Sequence, residues 1–186
     1  VRFVLDRGVD GIVAGGGTAE YPHFSVDDRA ALIRRSVHLA KGRGQVLASV
    51  GTSSIHTTLQ LAREAATAGV DALLIPMPYF FRYAQDDLSA FTEEVCAAVS
   101  IPCLLYNLPG FTNPIEVGTA IELLSSIPNL VGMKDSSGEV QALDTLAEAA
   151  SEKGFRLFVG DDSVLLPALR AGCHGVISGI SCFVPE

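Results

Sequence analysis

Short apolar runs alternate with longer amphipathic stretches along the whole chain. Seven runs read as strands: Gly11–Gly15, Gln45–Val50, Ala72–Pro76, Cys103–Tyr106, Leu130–Lys134, Arg156–Val159 and Gly175–Ser178. They recur at about 30 residues, the length of one βα unit, except the last, which follows a short helix. The stretches between them carry helix signals. Ser25-Val26-Asp27-Asp28 offers an N-cap with a carboxylate at N3, and Ile33, Val37 and Ala40 then share one face. Leu88, Phe91, Val95 and Ala98 do the same between Asp86 and Val99. Asn113-Pro114 predicts a cap with proline at the first helical position, ahead of Val117, Ile121 and Leu124. Gly69, Gly154 and Gly172 stand where helices should stop.

Strict alternation of strand and helix predicts an α/β fold, with a parallel sheet covered by helices. A doubly wound open sheet has about five or six strands, whereas seven even units fit a closed (β/α)8 TIM barrel, which takes about 250 residues. The chain has 186. Residues 1–186 are therefore expected to form one partial barrel domain that lacks the first strand and the C-terminal helices. Val1–Arg7 reads as the end of the first helix, and Phe183–Glu186 as the loop into the last one.

Composition narrows the function. The chain is 48% hydrophobic and 18% charged with a net charge of −8, as expected of a compact globular protein. An acidic balance with no basic cluster beyond Arg34-Arg35 argues against nucleic acid and anionic membranes as partners. No apolar run approaches the roughly 18 residues of a membrane helix. Cys96, Cys103, Cys173 and Cys182 form no C-x-x-C pair and read as free thiols, which fits a reducing, cytoplasmic location. The four histidines are scattered, so no metal site is expected.

Barrels carry their chemistry at the C-terminal ends of their strands. Lys134 lies there, at the end of an apolar run. Desolvation would keep its amine partly neutral and able to attack a carbonyl to form an imine. Tyr106 ends another strand and could move protons. Gly15-Gly16-Gly17-Thr18 offers backbone N–H groups and a hydroxyl for a carboxylate. Each has a plainer reading: a lysine reaching solvent, a packed tyrosine, a simple turn. Asp135 reads as part of a solvated turn, and Asp161-Asp162 as a helix N-cap.

Taken together, these segments resemble the dihydrodipicolinate synthase/N-acetylneuraminate lyase family of class I aldolases. Gly16-Gly17-Thr18-Ala19-Glu20 is similar to its G-[TSG]-T-G-E loop, Tyr106-Asn107-Leu108-Pro109 to its Y-N-x-P segment, and Gly132-Met133-Lys134-Asp135-Ser136-Ser137-Gly138 to its G-[IVM]-K-D-S-S-G segment. Gly160-Asp161-Asp162 and Gly175–Ser178 match its later strand ends. The resemblance implies the barrel, an imine on Lys134, proton transfer by Tyr106, and carboxylate binding by Gly17 and Thr18. It also implies Ile177 in the pyruvate pocket and no cofactor. The chain departs from the pattern as well. Phe80 stands where the synthases take a second tyrosine from a neighbouring subunit, and Phe111 where they carry an arginine for the semialdehyde's carboxylate. Ala19 replaces a glycine, Gly17 a hydroxyl residue, and Cys182 stands near a common asparagine.

The expected protein is a Schiff-base lyase or aldolase acting on pyruvate or a 2-oxo acid that releases it, together with an aldehyde. Phe80 and Phe111 are expected to line an apolar distal pocket, and the complete protein to be a homo-oligomer. The rivals are a 2-oxo-3-deoxy sugar acid dehydratase using the same imine, dihydrodipicolinate synthase proper, and a barrel that binds a 2-oxo acid without catalysis.

Overall fold

The computed structural model describes residues 1–185. A short helix α1 (Arg2–Asp6) leads into seven strands: β1 (Gly11–Ala14), β2 (Gln45–Ser49), β3 (Ala72–Pro76), β4 (Cys103–Asn107), β5 (Leu130–Asp135), β6 (Arg156–Val159) and β7 (Gly175–Val176). Between them lie α2 (Val26–Ala40), α3 (Ile55–Ala68), α4 (Gln85–Ala97), α5 (Val117–Ser126), α6 (Val140–Lys153) and α7 (Leu165–Ala171). The strands are parallel and lie in sequence order β1 to β7. This is the curled, helix-backed sheet of a (β/α)8 barrel. All seven strands fall where the apolar runs place them, with ends moved by one or two residues.

Strand alternation divides the interior in two. Leu73, Ile75, Cys103, Leu105, Met133 and Leu157 face the helices and join the main core with Ile33, Leu61, Leu88 and Leu143. Ala72, Leu74, Leu104 and Tyr106 face the other way and pack with Val13, Leu47 and Phe158. Such opposite faces are what a period of two produces in strands buried on both sides. Tyr106 thus belongs to the barrel's inner face.

The helix starts follow their caps unevenly. Ser25 caps α2 in a full capping box with Asp28. Asp161 caps the 3-10 turn Asp162–Val164, which runs into α7. The start expected at Asn113-Pro114 is corrected, because α5 begins at Val117 with Glu116 at its N-cap. Asn113 binds a neighbouring loop instead. Its amide donates to Pro78 O and Phe81 O at 2.7 Å each, and its oxygen accepts from Tyr83 N. Cys96, Cys103 and Cys173 are buried free thiols, while Cys182 is exposed. No helix of the described residues is long and apolar enough to cross a membrane.

Candidate active site

Tyr106 and Lys134 are paired across β4 and β5. Equal register on adjacent parallel strands sends both side chains to the inner face. Lys134 Nζ lies 3.0 Å from Tyr106 Oη and 4.1 Å from the centre of its ring. Both residues are buried. Burial pulls the Lys134 amine down from 10.5 to about 8, with the negative charge of Asp162 acting weakly in the opposite sense. Burial pushes the Tyr106 phenol up. Ser136 pulls it back somewhat, although its buried hydroxyl makes no hydrogen bond of ordinary geometry.

Gly160, just beyond β6, leaves the space that Lys134 fills. A β-carbon there would overlap Lys134 Cε and Ser136 Oγ and lie 3.2 Å from Nζ. The glycine loop closes over the same point from β1. A β-carbon on Gly17 would lie 3.5 Å from Tyr106 Oη, so its backbone lies close to the phenol. Thr18 is exposed and packs beside Gly179, beyond β7. Ala19 takes an ordinary backbone angle, and the left-handed residues of this loop are Gly15, at φ 71°, and Glu20, at φ 55°. Alanine in place of the family's glycine at position 19 therefore carries no backbone strain. Ile177 is half-buried and extends the β6–β7 pairing through its N–H to Val159 O.

Lys134, Tyr106 and Gly17 are thus brought together, with Thr18 next to the last loop. Phe80 and Phe111 are not drawn into an enclosed pocket. They are 86% and 81% exposed, and the Phe80 ring meets that of Phe81 edge to face, at 4.9 Å between centroids. Phe80 also has a left-handed backbone, at φ 84°.

Two features escape the sequence reading. Asp135 is 1% exposed, not solvated. Its carboxylate accepts from Asn107 Nδ2 at 2.7 Å, Ser137 N at 3.0 Å and Ser137 Oγ at 2.5 Å. Arg29 of α2 is also buried. It donates to Ser49 O and Gly51 O, and its guanidinium lies 4.9 Å from the Tyr21 ring centre, just after the glycine loop. Only its place on the Ala30–Ile33 face of α2 hinted at burial.

A curled parallel sheet with an amine and a phenol at adjacent strand ends puts the chain in the class of (β/α)8-barrel proteins with a buried lysine at the site. The model of the dihydrodipicolinate synthetase family matches residues 1–186, and the chain belongs to that family. It is 41% identical over 191 residues to 4-hydroxy-tetrahydrodipicolinate synthase of Azoarcus sp. strain BH72, covering 100% of this chain and 65% of that protein. Against the enzyme of the same name from Bacillus subtilis strain 168 it is 33% identical, covering 96% of this chain and 61% of the relative. The solved 4-hydroxy-tetrahydrodipicolinate synthase of Methylacidiphilum fumariolicum SolV superposes with a TM-score of 0.94 at 33% identity, over 99% of this chain and 61% of that one. A 2-keto 3-deoxygluconate aldolase from Picrophilus torridus superposes with a TM-score of 0.93 at 26% identity, over 99% and 66%. The chain therefore spans less than two thirds of the length of these relatives.

Proposed function

We propose that the chain is the greater part of the catalytic domain of a class I lyase or aldolase that forms an imine with pyruvate or a pyruvate-releasing 2-oxo acid. The observation that carries this reading is Lys134 Nζ, buried, pulled down to about 8 and 3.0 Å from Tyr106 Oη. An amine with that midpoint is appreciably neutral near pH 7, so its lone pair can attack the C2 carbonyl. The C–N bond forms, the carbonyl oxygen takes up its protons and leaves as water, and a protonated imine remains. In the cleavage direction a hydroxyl on C4 loses its proton, and the C3–C4 bond breaks to release an aldehyde. The bonding pair moves into an enamine and neutralises the imine nitrogen. Protonation at C3 and addition of water then return pyruvate and the free amine. Tyr106 stands where protons must be carried, and Gly17 and Thr18 lie at the point where the substrate carboxylate would be held by backbone N–H groups.

The aldehyde partner is read from what the chain lacks. Phe111 offers no positive charge, so an aldehyde with an apolar or hydroxylated tail suits the site better than one bearing a carboxylate. This favours a lyase or aldolase over dihydrodipicolinate synthesis. Product analysis separates cleavage from the dehydratase rival: aldehyde plus pyruvate in one case, loss of water in the other.

The deciding experiment is reduction of the full-length protein with borohydride in the presence of pyruvate. Reduction freezes the imine as a stable amine, and peptide mapping should place one reduced pyruvate on Lys134. Equal labelling of Lys134→Ala, or a label on another lysine, overturns the proposal.

A further inference from the structure

The residues that follow Tyr106 and Lys134 are also register partners. Asn107 pairs with Asp135 exactly one step beyond Tyr106 with Lys134. Strand alternation turns this second pair to the helix side of the sheet, behind the amine and the phenol. There the two side chains bond directly, Asn107 Nδ2 to Asp135 Oδ2 at 2.7 Å. Both are buried.

The pair reaches three loops. Asn107 Oδ1 accepts from Ile115 N at 3.3 Å, which fastens the segment between β4 and α5. The second Asp135 oxygen accepts from Ser137 N and Oγ, which fastens the turn after β5. The backbones join in: Ser136 N donates to Asn107 O at 2.9 Å, and Gly160 N to Asp135 O at 2.7 Å. Gly160 is the residue whose missing side chain gives Lys134 its path. A buried carboxylate is costly unless its oxygens are satisfied. Here three donors do so, and among the described residues no lysine or arginine forms a salt bridge with it.

We infer that Asn107 and Asp135 are positioning residues, which lock the ends of β4, β5 and β6 from the helix side and so fix the Tyr106–Lys134 geometry on the inner face. The inference rests on the reading of Lys134 and Tyr106 given above. A misplacement of about 1 Å at a reacting group can lower a rate about 10²-fold. The pair is therefore expected to act on turnover more than on substrate affinity.

A reciprocal exchange tests it in the full-length protein. Asn107→Asp alone sets two carboxylates face to face and should push the strand ends apart. Adding Asp135→Asn returns one amide and one carboxylate with their sides exchanged. The new amide can donate across the pair while its oxygen accepts from Ser137, and the new carboxylate can accept from Ile115 N. Asn107→Asp is expected to lower kcat and the rate of pyruvate trapping together by about 10²-fold, with a much smaller change in KM. The double variant is expected to recover most of both.

Competitive labelling of Lys134 with acetic anhydride needs no 2-oxo acid. The midpoint, about 8 in the parent, should rise in Asn107→Asp as water enters, and fall back in the double variant. If Asn107→Asp does not fold, Asp135→Asn alone serves, and there kcat and the trapping rate should fall together by a smaller factor, with little change in KM. A folded Asn107→Asp with an unchanged labelling midpoint overturns the inference, as does a folded Asp135→Asn with unchanged kcat and trapping rate, and so does a double variant that regains its Tm without regaining its rate. Failure of the parent to trap any 2-oxo acid would strike the functional proposal and leave the labelling result to judge the pair.

Discussion

Gly160 and Lys134 are fitted to each other across β5 and β6. The lysine's Cε occupies the space that a β-carbon on Gly160 would claim. Gly160→Ala should therefore act through the amine. Cε is near the end of a flexible side chain and can swing aside, so the fold should survive. The swing would take Nζ away from Tyr106 Oη, which it now meets at 3.0 Å. Borohydride trapping with pyruvate is expected to slow by at least about tenfold, given the sensitivity of reacting groups to displacement. A near-parent Tm should accompany it. Parent-like trapping would show that Lys134 has a second productive path.

The same burial that prepares Lys134 for chemistry weakens the fold at neutral pH. In the unfolded chain the amine holds its proton up to about 10.5; in the folded chain it releases it near 8. Between those values the unfolded state binds more protons, so this group's contribution to stability rises with pH. Below 8 the full penalty applies, on the order of 3 kcal/mol for a gap of this size. Lys134→Met keeps the length of the side chain and removes the charge. At pH 7 it should raise Tm by several degrees, since a domain of this size gains about 2–4 °C per kcal/mol. The gain should shrink from pH 8 and vanish above about 10.5. A thermal scan series over pH checks it; a Tm gain independent of pH would assign the effect to packing.

Residues whose environment is set within one strand were legible in the sequence. Lys134 and Tyr106 end apolar runs, and the alternation along each run sends them to the same face. The strand order followed from the even βα spacing. What escaped depends on contacts between strands. Asp135 sits at the start of a polar run and looks solvated, yet Asn107 and Ser137 bring donors that allow its burial. Gly160 reads as an ordinary strand-end glycine, because the atom that needs its space belongs to another strand. Asn113 and Pro114 carry a helix-start signal, but Asn113 spends its side chain on residues 78–83 and the helix begins later. Local signals compete with tertiary partners there, and the tertiary partners win.

Tyr106→Phe separates binding from proton transfer. The ring is buried against Leu74 and Leu104, and phenylalanine keeps that packing. Only the hydroxyl beside Lys134 is lost. Turnover should fall by about 10²–10⁴-fold if that hydroxyl carries the proton, while pyruvate remains trappable on Lys134. Steady-state rates and trapping stoichiometry, measured on the same preparation, give the comparison. An unchanged rate would reduce Tyr106 to a packing residue.

Phe111 is the position on which the choice of aldehyde should turn. It lies in the turn after Leu108, where its N–H donates to Leu108 O, and its ring is exposed. An arginine can therefore be accommodated there without repacking the core. The guanidinium would add two charge-assisted hydrogen bonds for a carboxylate, which the phenylalanine ring cannot supply. The parent full-length protein is expected to use aspartate semialdehyde poorly and an aromatic or hydroxylated aldehyde better. Phe111→Arg should raise kcat/KM for the carboxylate-bearing aldehyde by about tenfold or more, the scale of one charged hydrogen bond, and leave the uncharged one little changed. Phe80, equally exposed and without a hydroxyl, should keep the absolute rate low. Efficient use of aspartate semialdehyde by the parent would show that the carboxylate is held elsewhere, and would return the chain to dihydrodipicolinate synthesis.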